Sequence, residues 1–197
     1  MLATRLQYRN DLKDKIIAIE DSGYGDFEFS DAELNTYLSL AVARLFPALY
    51  KRLSQDGLTL TAYGTGDYGY CTATAVDRVY LVEDADELQP ISGWSVSGSR
   101  ITKLDTVDLD TVNVHYYDAY TLPNDDTTDA AIAAIWTPLV VLGALVEALE
   151  SRQDSGVRGD PGVNQQALHE VSLIDRLVSR YETTKREMAM SLPVVVV

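Results

Sequence analysis

The sequence predicts a mainly α protein: a bundle of about four helices, an antiparallel β insertion between helices 2 and 3, and an extended C-terminal tail. Three observations predict it. Apolar residues recur every three or four positions on both sides of the chain's middle, as helices that bury one face require. Residues 55–122 switch to short runs rich in Thr, Val and Tyr, broken by Gly, Asp, Ser and Pro. The last seven residues, Ser191-Leu192-Pro193-Val194-Val195-Val196-Val197, carry no side-chain charge and end in four β-branched residues. The predicted divisions are therefore 1–54 with 123–190 for a discontinuous bundle, 55–122 for the β insertion, and 191–197 for a docking tail.

The first helix is expected over Leu2–Ile19, where Leu2, Leu6, Leu12, Ile16 and Ile19 follow helical spacing, and Ser22-Gly23-Tyr24-Gly25-Asp26 breaks it. Ser30 with Glu33 three residues later forms a capping box for the second helix. Leu34, Leu38, Ala41, Val42, Leu45, Leu49 and Leu53 then make one apolar stripe, with a kink expected at Pro47.

Strands are expected at Leu58–Ala62, Tyr70–Ala75, Arg78–Glu83, Ser95–Val96, Arg100–Leu104 and Thr111–Tyr117, with Ser97-Gly98-Ser99 as a hairpin turn. The third helix is expected over Asp129–Glu150. Its uncharged run, Ala130–Val146, has 17 residues, short of the roughly 20 that span a bilayer. Its flanks hold Asp125, Asp126, Asp129, Glu147 and Glu150 in place of the cations that orient a membrane helix, so a helix buried on all sides is expected. The fourth helix runs over Asn164–Met190, where Ala167, Val171, Ile174, Val178 and Tyr181 alternate in steps of four and three. The tail that follows, Leu192, Pro193, Val194, Val195, Val196 and Val197, has the composition of a strand that needs a partner. It is expected to dock on a neighbouring subunit or another protein; folding back on its own domain is the alternative.

Charge bounds the function. The net charge is 16 − 30 = −14. Residues 54–129 hold 14 acidic and 3 basic side chains, so most of the negative charge lies in the middle of the chain. Such a surface does not grip nucleic acid, which needs clustered Lys and Arg, but it can repel phosphate or simply keep the protein soluble. One cysteine, Cys71, excludes an internal disulfide. No apolar signal-peptide core follows Met1, so the cytoplasm is the expected compartment, and no membrane partner is expected.

No residue pattern nominates a catalytic, cofactor or metal site. Gly64-Thr65-Gly66-Asp67-Tyr68-Gly69 matches G-x-G-x-x-G, but it runs into a strand-like segment where a dinucleotide site needs a helix, so a hairpin loop is expected. Asp105, Asp108 and Asp110 lack the glycine and glutamate of a calcium loop, since Asp110 and Tyr116 stand at those places. His115, His169 and Cys71 are far apart in sequence. Seven tyrosines (Tyr63, Tyr68, Tyr70, Tyr80, Tyr116, Tyr117 and Tyr120) fall in the β insertion. Tyrosine gives large amphipathic contact area and is enriched in interfaces, although some must pack the sheet itself. Tyr116, Tyr117 and Tyr120 are the first candidates for inter-subunit or next-ring contacts.

Phe29-Ser30-Asp31-Ala32-Glu33-Leu34, followed by Leu38, Ala41 and Leu45 and preceded by a short helix and a Gly-Asp loop, resembles the head-to-tail connector (adaptor, or head-completion) proteins of tailed bacteriophages. The long helix Gln166–Arg186 running into an apolar tail is similar to that family's portal-facing end. The likeness covers the helical parts, about half of the chain, and the 55–122 insertion is larger than a minimal member needs. The resemblance implies a non-catalytic structural protein of the phage neck. It would assemble as a homo-oligomeric, twelvefold ring on the portal, insert its C-terminal end between portal subunits, and meet a downstream neck or tail protein. Double-stranded DNA would pass through its channel without specific binding. The protein would sit in the virion after assembly in the host cytoplasm. Asp67, Asp84, Asp86 and Glu87, expected in loops, are the candidates for an acidic channel wall. Another virion structural protein, such as a tail terminator or minor capsid protein, is the first alternative; a small-molecule-binding protein or enzyme is the second.

Overall fold

Thr4 and Ser30 start the first two helices in the same way. Each cap hydroxyl accepts the amide three residues on, Gln7 N at 3.3 Å and Glu33 N at 3.3 Å, while that residue's side chain accepts the cap's own amide at 2.8 Å. The structure, a computed structural model, describes residues 3–24, 27–64, 66–74, 76–106, 109–156 and 165–191. The six tail residues Leu192–Val197, to which docking was assigned, lie outside them. The chain divides into two compact units, Met1–Leu49 with Ala119–Val197, and Tyr50–Asp118.

Among the described residues the first unit holds four α-helices, α1 (Arg5–Ile19), α2 (Asp31–Arg44), α3 (Thr137–Gly156) and α4 (Gln165–Ser191). Tyr8 and Leu12 of α1, Leu34 and Leu38 of α2 and Leu139 and Val140 of α3 are fully buried in one core, and α4 adds Ile174 and Tyr181, two turns apart on one face. Ala134–Arg152 is long and apolar enough to cross a membrane by length and composition; here Leu139, Val140, Val141, Ala144, Leu145 and Leu149 fill the core between helices.

Two prolines move helix boundaries away from the expected ones. Pro47 ends the second helix rather than kinking it: α2 stops at Arg44, the Phe46–Pro47 bond is cis, and Lys51 opens a strand. Proline removes an amide donor and disfavours helical geometry in the residue before it. Leu45 and Leu49 still reach the core, but Leu53 lies in the strand. Pro138 opens α3, sitting in the first turn where a missing N–H costs nothing. The preceding residues form a short 3-10 turn, Ala134–Trp136, and not the start of a helix at Asp129.

Among the described residues the second unit carries seven strands: β1 (Lys51–Thr59), β2 (Thr61–Ala62), β3 (Tyr68–Thr72), β4 (Val79–Asp84), β5 (Ser95–Ser97), β6 (Arg100–Asp105) and β7 (Thr111–Asp118). They pair antiparallel as two sheets, ordered β1-β7-β4 and β2-β3-β6-β5. Both sheets contribute to one core: Val82, Val112 and Val114 from the first, Cys71, Ile101 and Leu104 from the second. Gly98 at φ 61° makes the β5–β6 hairpin turn. β2 and β3 likewise pair as antiparallel neighbours, with Tyr63 N donating to Tyr68 O at 3.0 Å beyond the end of β2.

The mainly α expectation is thus wrong. Among the described residues, four α-helices and two antiparallel sheets of three and four strands make a mixed α/β protein whose strands close a hydrophobic core of their own. Strand pairing joins residues as distant as Lys51 and Asp118, and that gain in burial is invisible to a local reading of spacing.

Candidate interface site

Alternation along β7 sorts its side chains onto two faces. Val112 and Val114 point into the core, while Asn113, His115 and Tyr117 occupy the other face. The register places Arg52 opposite Tyr117 and Ser54 opposite His115. Tyr117 stacks on Tyr80 at 4.3 Å between ring centroids and meets Tyr50 edge-on at 4.4 Å, while Arg52 lies 5.7 Å over the Tyr80 ring. Burial pushes the Tyr80 phenol upward, and Arg52 opposes that shift. Beside this group, His115 Nε2 is 2.8 Å from Glu83 Oε1, Asn113 Nδ2 donates to the same carboxylate at 3.3 Å, and Gly57 N donates to Asn113 Oδ1 at 3.0 Å.

The four-stranded sheet carries a second tyrosine–arginine group. Tyr63 and Tyr70 lie 5.2 Å apart, and the Arg100 guanidinium sits 4.1 Å over the Tyr70 ring. Tyr63 is 49% exposed and neighbouring Tyr68 58%. Stacked tyrosine with arginine is the composition in which interface energy concentrates.

The expected site residues fall in different places. Tyr117 belongs to the first aromatic group. Tyr116 is 8% exposed, so its ring offers almost no surface to a partner. Tyr120 belongs to the helical unit and packs against its core. Asp67 is exposed just before β3, where its carbonyl accepts Thr106 N at 2.7 Å. Asp84 ends β4, and its carboxylate accepts the amides of Asp86 at 2.7 Å and Glu87 at 3.2 Å, so it closes its own turn. Asp86 and Glu87 are exposed on that turn, beside Leu88, which is 63% exposed and held at φ 55°. A left-handed leucine costs about 1 kcal/mol. Sequence spacing missed Tyr50, Arg52 and Arg100. The period-two placement of Tyr68 and Tyr70 was legible, but which strands bring rings together depends on register.

The helical unit holds a cavity of about 190 Å³ between α2, α3 and α4, lined by Ala41, Arg44, Gly143, Glu147, Tyr181 and Lys185 among others. Glu147, 8% exposed, pairs with Arg44, and Lys185 Nζ donates to the Arg44 carbonyl at 2.8 Å. The Tyr181 hydroxyl is buried without a hydrogen-bond partner, and burial pushes its pKa up to about 12. Among the described residues no group of three His, Cys, Asp or Glu side chains is placed to hold a metal ion; Asp108 lies outside them. No protein-family model matches the chain, and no curated protein matches it.

Proposed function

We propose that the chain is a ring-forming structural subunit of a tailed-phage neck, placed between the portal and the next neck or tail protein, with double-stranded DNA passing through the ring. One observation carries the reading beyond the helix-and-tail likeness. The β unit presents a tyrosine–arginine group on each of its two sheets, which suits a subunit held by neighbours on more than one side.

The charge supports a channel rather than a DNA grip. Residues 50–118 hold 5 basic and 11 acidic side chains, a net of −6, and such a surface repels the phosphate backbone. Of the four carboxylates assigned to the channel wall, Asp67 is the exposed one outside the β4 turn. The same surfaces would serve another virion protein, such as a tail terminator or a minor capsid subunit. A small-molecule-binding role finds its support in the Tyr181 cavity.

Sedimentation of the purified chain over a concentration series tests the assembly. A species many times the 21.7 kDa subunit mass is expected, with no binding to duplex DNA at low salt, where attraction would be strongest. Tight DNA binding under those conditions contradicts the channel.

A further inference from the structure

The cations of the β unit are divided unequally. Lys51 and Arg78 pair with Asp118 at 3.4 and 3.3 Å. Arg52 and Arg100 lie against tyrosine rings instead. Among the described residues no carboxylate pairs with Arg100. It stands on the four-stranded sheet beside Tyr70 and the half-exposed Tyr63. The turn after β4 shows the complementary deficit. Among the described residues Asp86 and Glu87 have no cation partner, and they directly precede Leu88, the most exposed large apolar side chain among the described residues of this unit. The turn closes a strand of the three-stranded sheet, so the acidic knob and the aromatic face belong to different sheets of one unit.

Resting on the ring reading above, we infer that the Tyr63–Tyr70–Arg100 face receives the Asp86-Glu87-Leu88 turn of a second copy of this chain. Arg100 would meet the two carboxylates, and Leu88 would lie against the tyrosine rings. Charge complementarity selects this occupant: in a unit of net charge −6 the face is a cationic, aromatic patch, and the chain itself carries an acidic, apolar-tipped turn. The turn comes ready-shaped, through Asp84 Oδ1 to the Asp86 and Glu87 amides and Leu88 N to Asp84 O at 3.0 Å, so little freedom is lost on docking. A contact between two different surfaces is heterologous, and repeating it closes a ring when the rotation closes.

Opposite charge reversals test it. Arg100→Glu alone, and Asp86→Lys with Glu87→Lys alone, each place like charges across the contact and should weaken self-association by about tenfold or more. Mixing the two variants restores opposite charges at every contact, because each chain's turn then meets the other's face, and assembly should return in the mixture. Tyr63→Ala, at a half-exposed position, should weaken association without any change of charge. If the wild-type chain assembles and Arg100→Glu and Tyr63→Ala assemble equally well, this contact is wrong while the ring reading stands; the face then serves a different acidic partner. Variants that fail alone and also fail when mixed would likewise overturn the charge pairing. A wild-type chain that remains at the subunit mass overturns the ring reading and this contact together.

Discussion

Arg9 grips Asp126 at two points: Nη1 lies 3.0 Å from Oδ1 and Nη2 2.6 Å from Oδ2. The Arg9 side chain is 8% exposed, and its guanidinium also donates to Asn35 Oδ1 at 3.2 Å and lies 3.6 Å from Asp31. One buried cation thereby ties α1 to α2 and to the segment leading toward α3 across 117 residues of sequence.

Removing the anion should cost more than removing the cation. Asp126→Ala leaves a buried guanidinium short of its best partner, for a loss of about 2 kcal/mol. Arg9→Met replaces the charge with an apolar chain of similar length and leaves Asp126, 40% exposed, to water, so most stability is kept. Urea unfolding of both variants checks the order; a larger loss in Arg9→Met contradicts it.

Glu147 should make the helical unit sensitive to pH in the unusual direction. Burial of its carboxyl raises the pKa more than Arg44 lowers it, and Glu150 adds to the rise. A carboxyl that holds its proton more tightly when folded favours folding most below its unfolded value. That contribution is lost as pH rises through the raised one. Glu147→Gln should therefore melt above the wild type at pH 7, and the difference should vanish below about pH 4. A variant that melts lower at pH 7 would show that the Arg44 pair outweighs burial.

Gly143 and Tyr181 set the spacing of α3 and α4. A Cβ on Gly143 would stand 2.9 Å from the Tyr181 ring and 3.2 Å from Ala41 Cβ. Overpacking of about 1–3 kcal/mol exceeds the roughly 1 kcal/mol of helix propensity gained, so Gly143→Ala should destabilise. Tyr181→Phe should instead stabilise by about 1 kcal/mol, because it removes a buried hydroxyl with no partner. Thermal melts of the two variants should move in opposite directions.

Cys71 should report opening of the β unit. It is 2% exposed, and burial pushes its thiol up to about 11, so the thiolate is scarce at pH 8. A thiol reagent should label it only on unfolding in denaturant; rapid labelling of the native protein would mean that the two-sheet core opens readily.

The helix starts were legible where the signal is local. Ser30 and Glu33 are three residues apart, and their reciprocal hydrogen bonds follow from that spacing alone. Thr4 with Gln7 uses the same device one helix earlier, and its glutamine was overlooked. Pro138 lies inside the helix expected over Asp129–Glu150, yet it marks where α3 begins, because proline is favourable in a helix's first turn. The fold class and the aromatic faces were not legible for a shared reason: they depend on pairing between distant strands. Tyr117 was singled out, but its neighbours Tyr50 and Tyr80 come from either side of it through the β1-β7-β4 order. Tyr116, one residue away, falls on the opposite face, as the two-residue period of a strand demands.

The most direct test is to purify the tagged chain from the cells that produce it and to image by negative stain the complex it brings along. A neck assignment predicts closed rings of this subunit seated on a larger ring or at the junction of head and tail, with the label repeated around one axis. Single small particles, or a label on the capsid shell or along the tail, would contradict it.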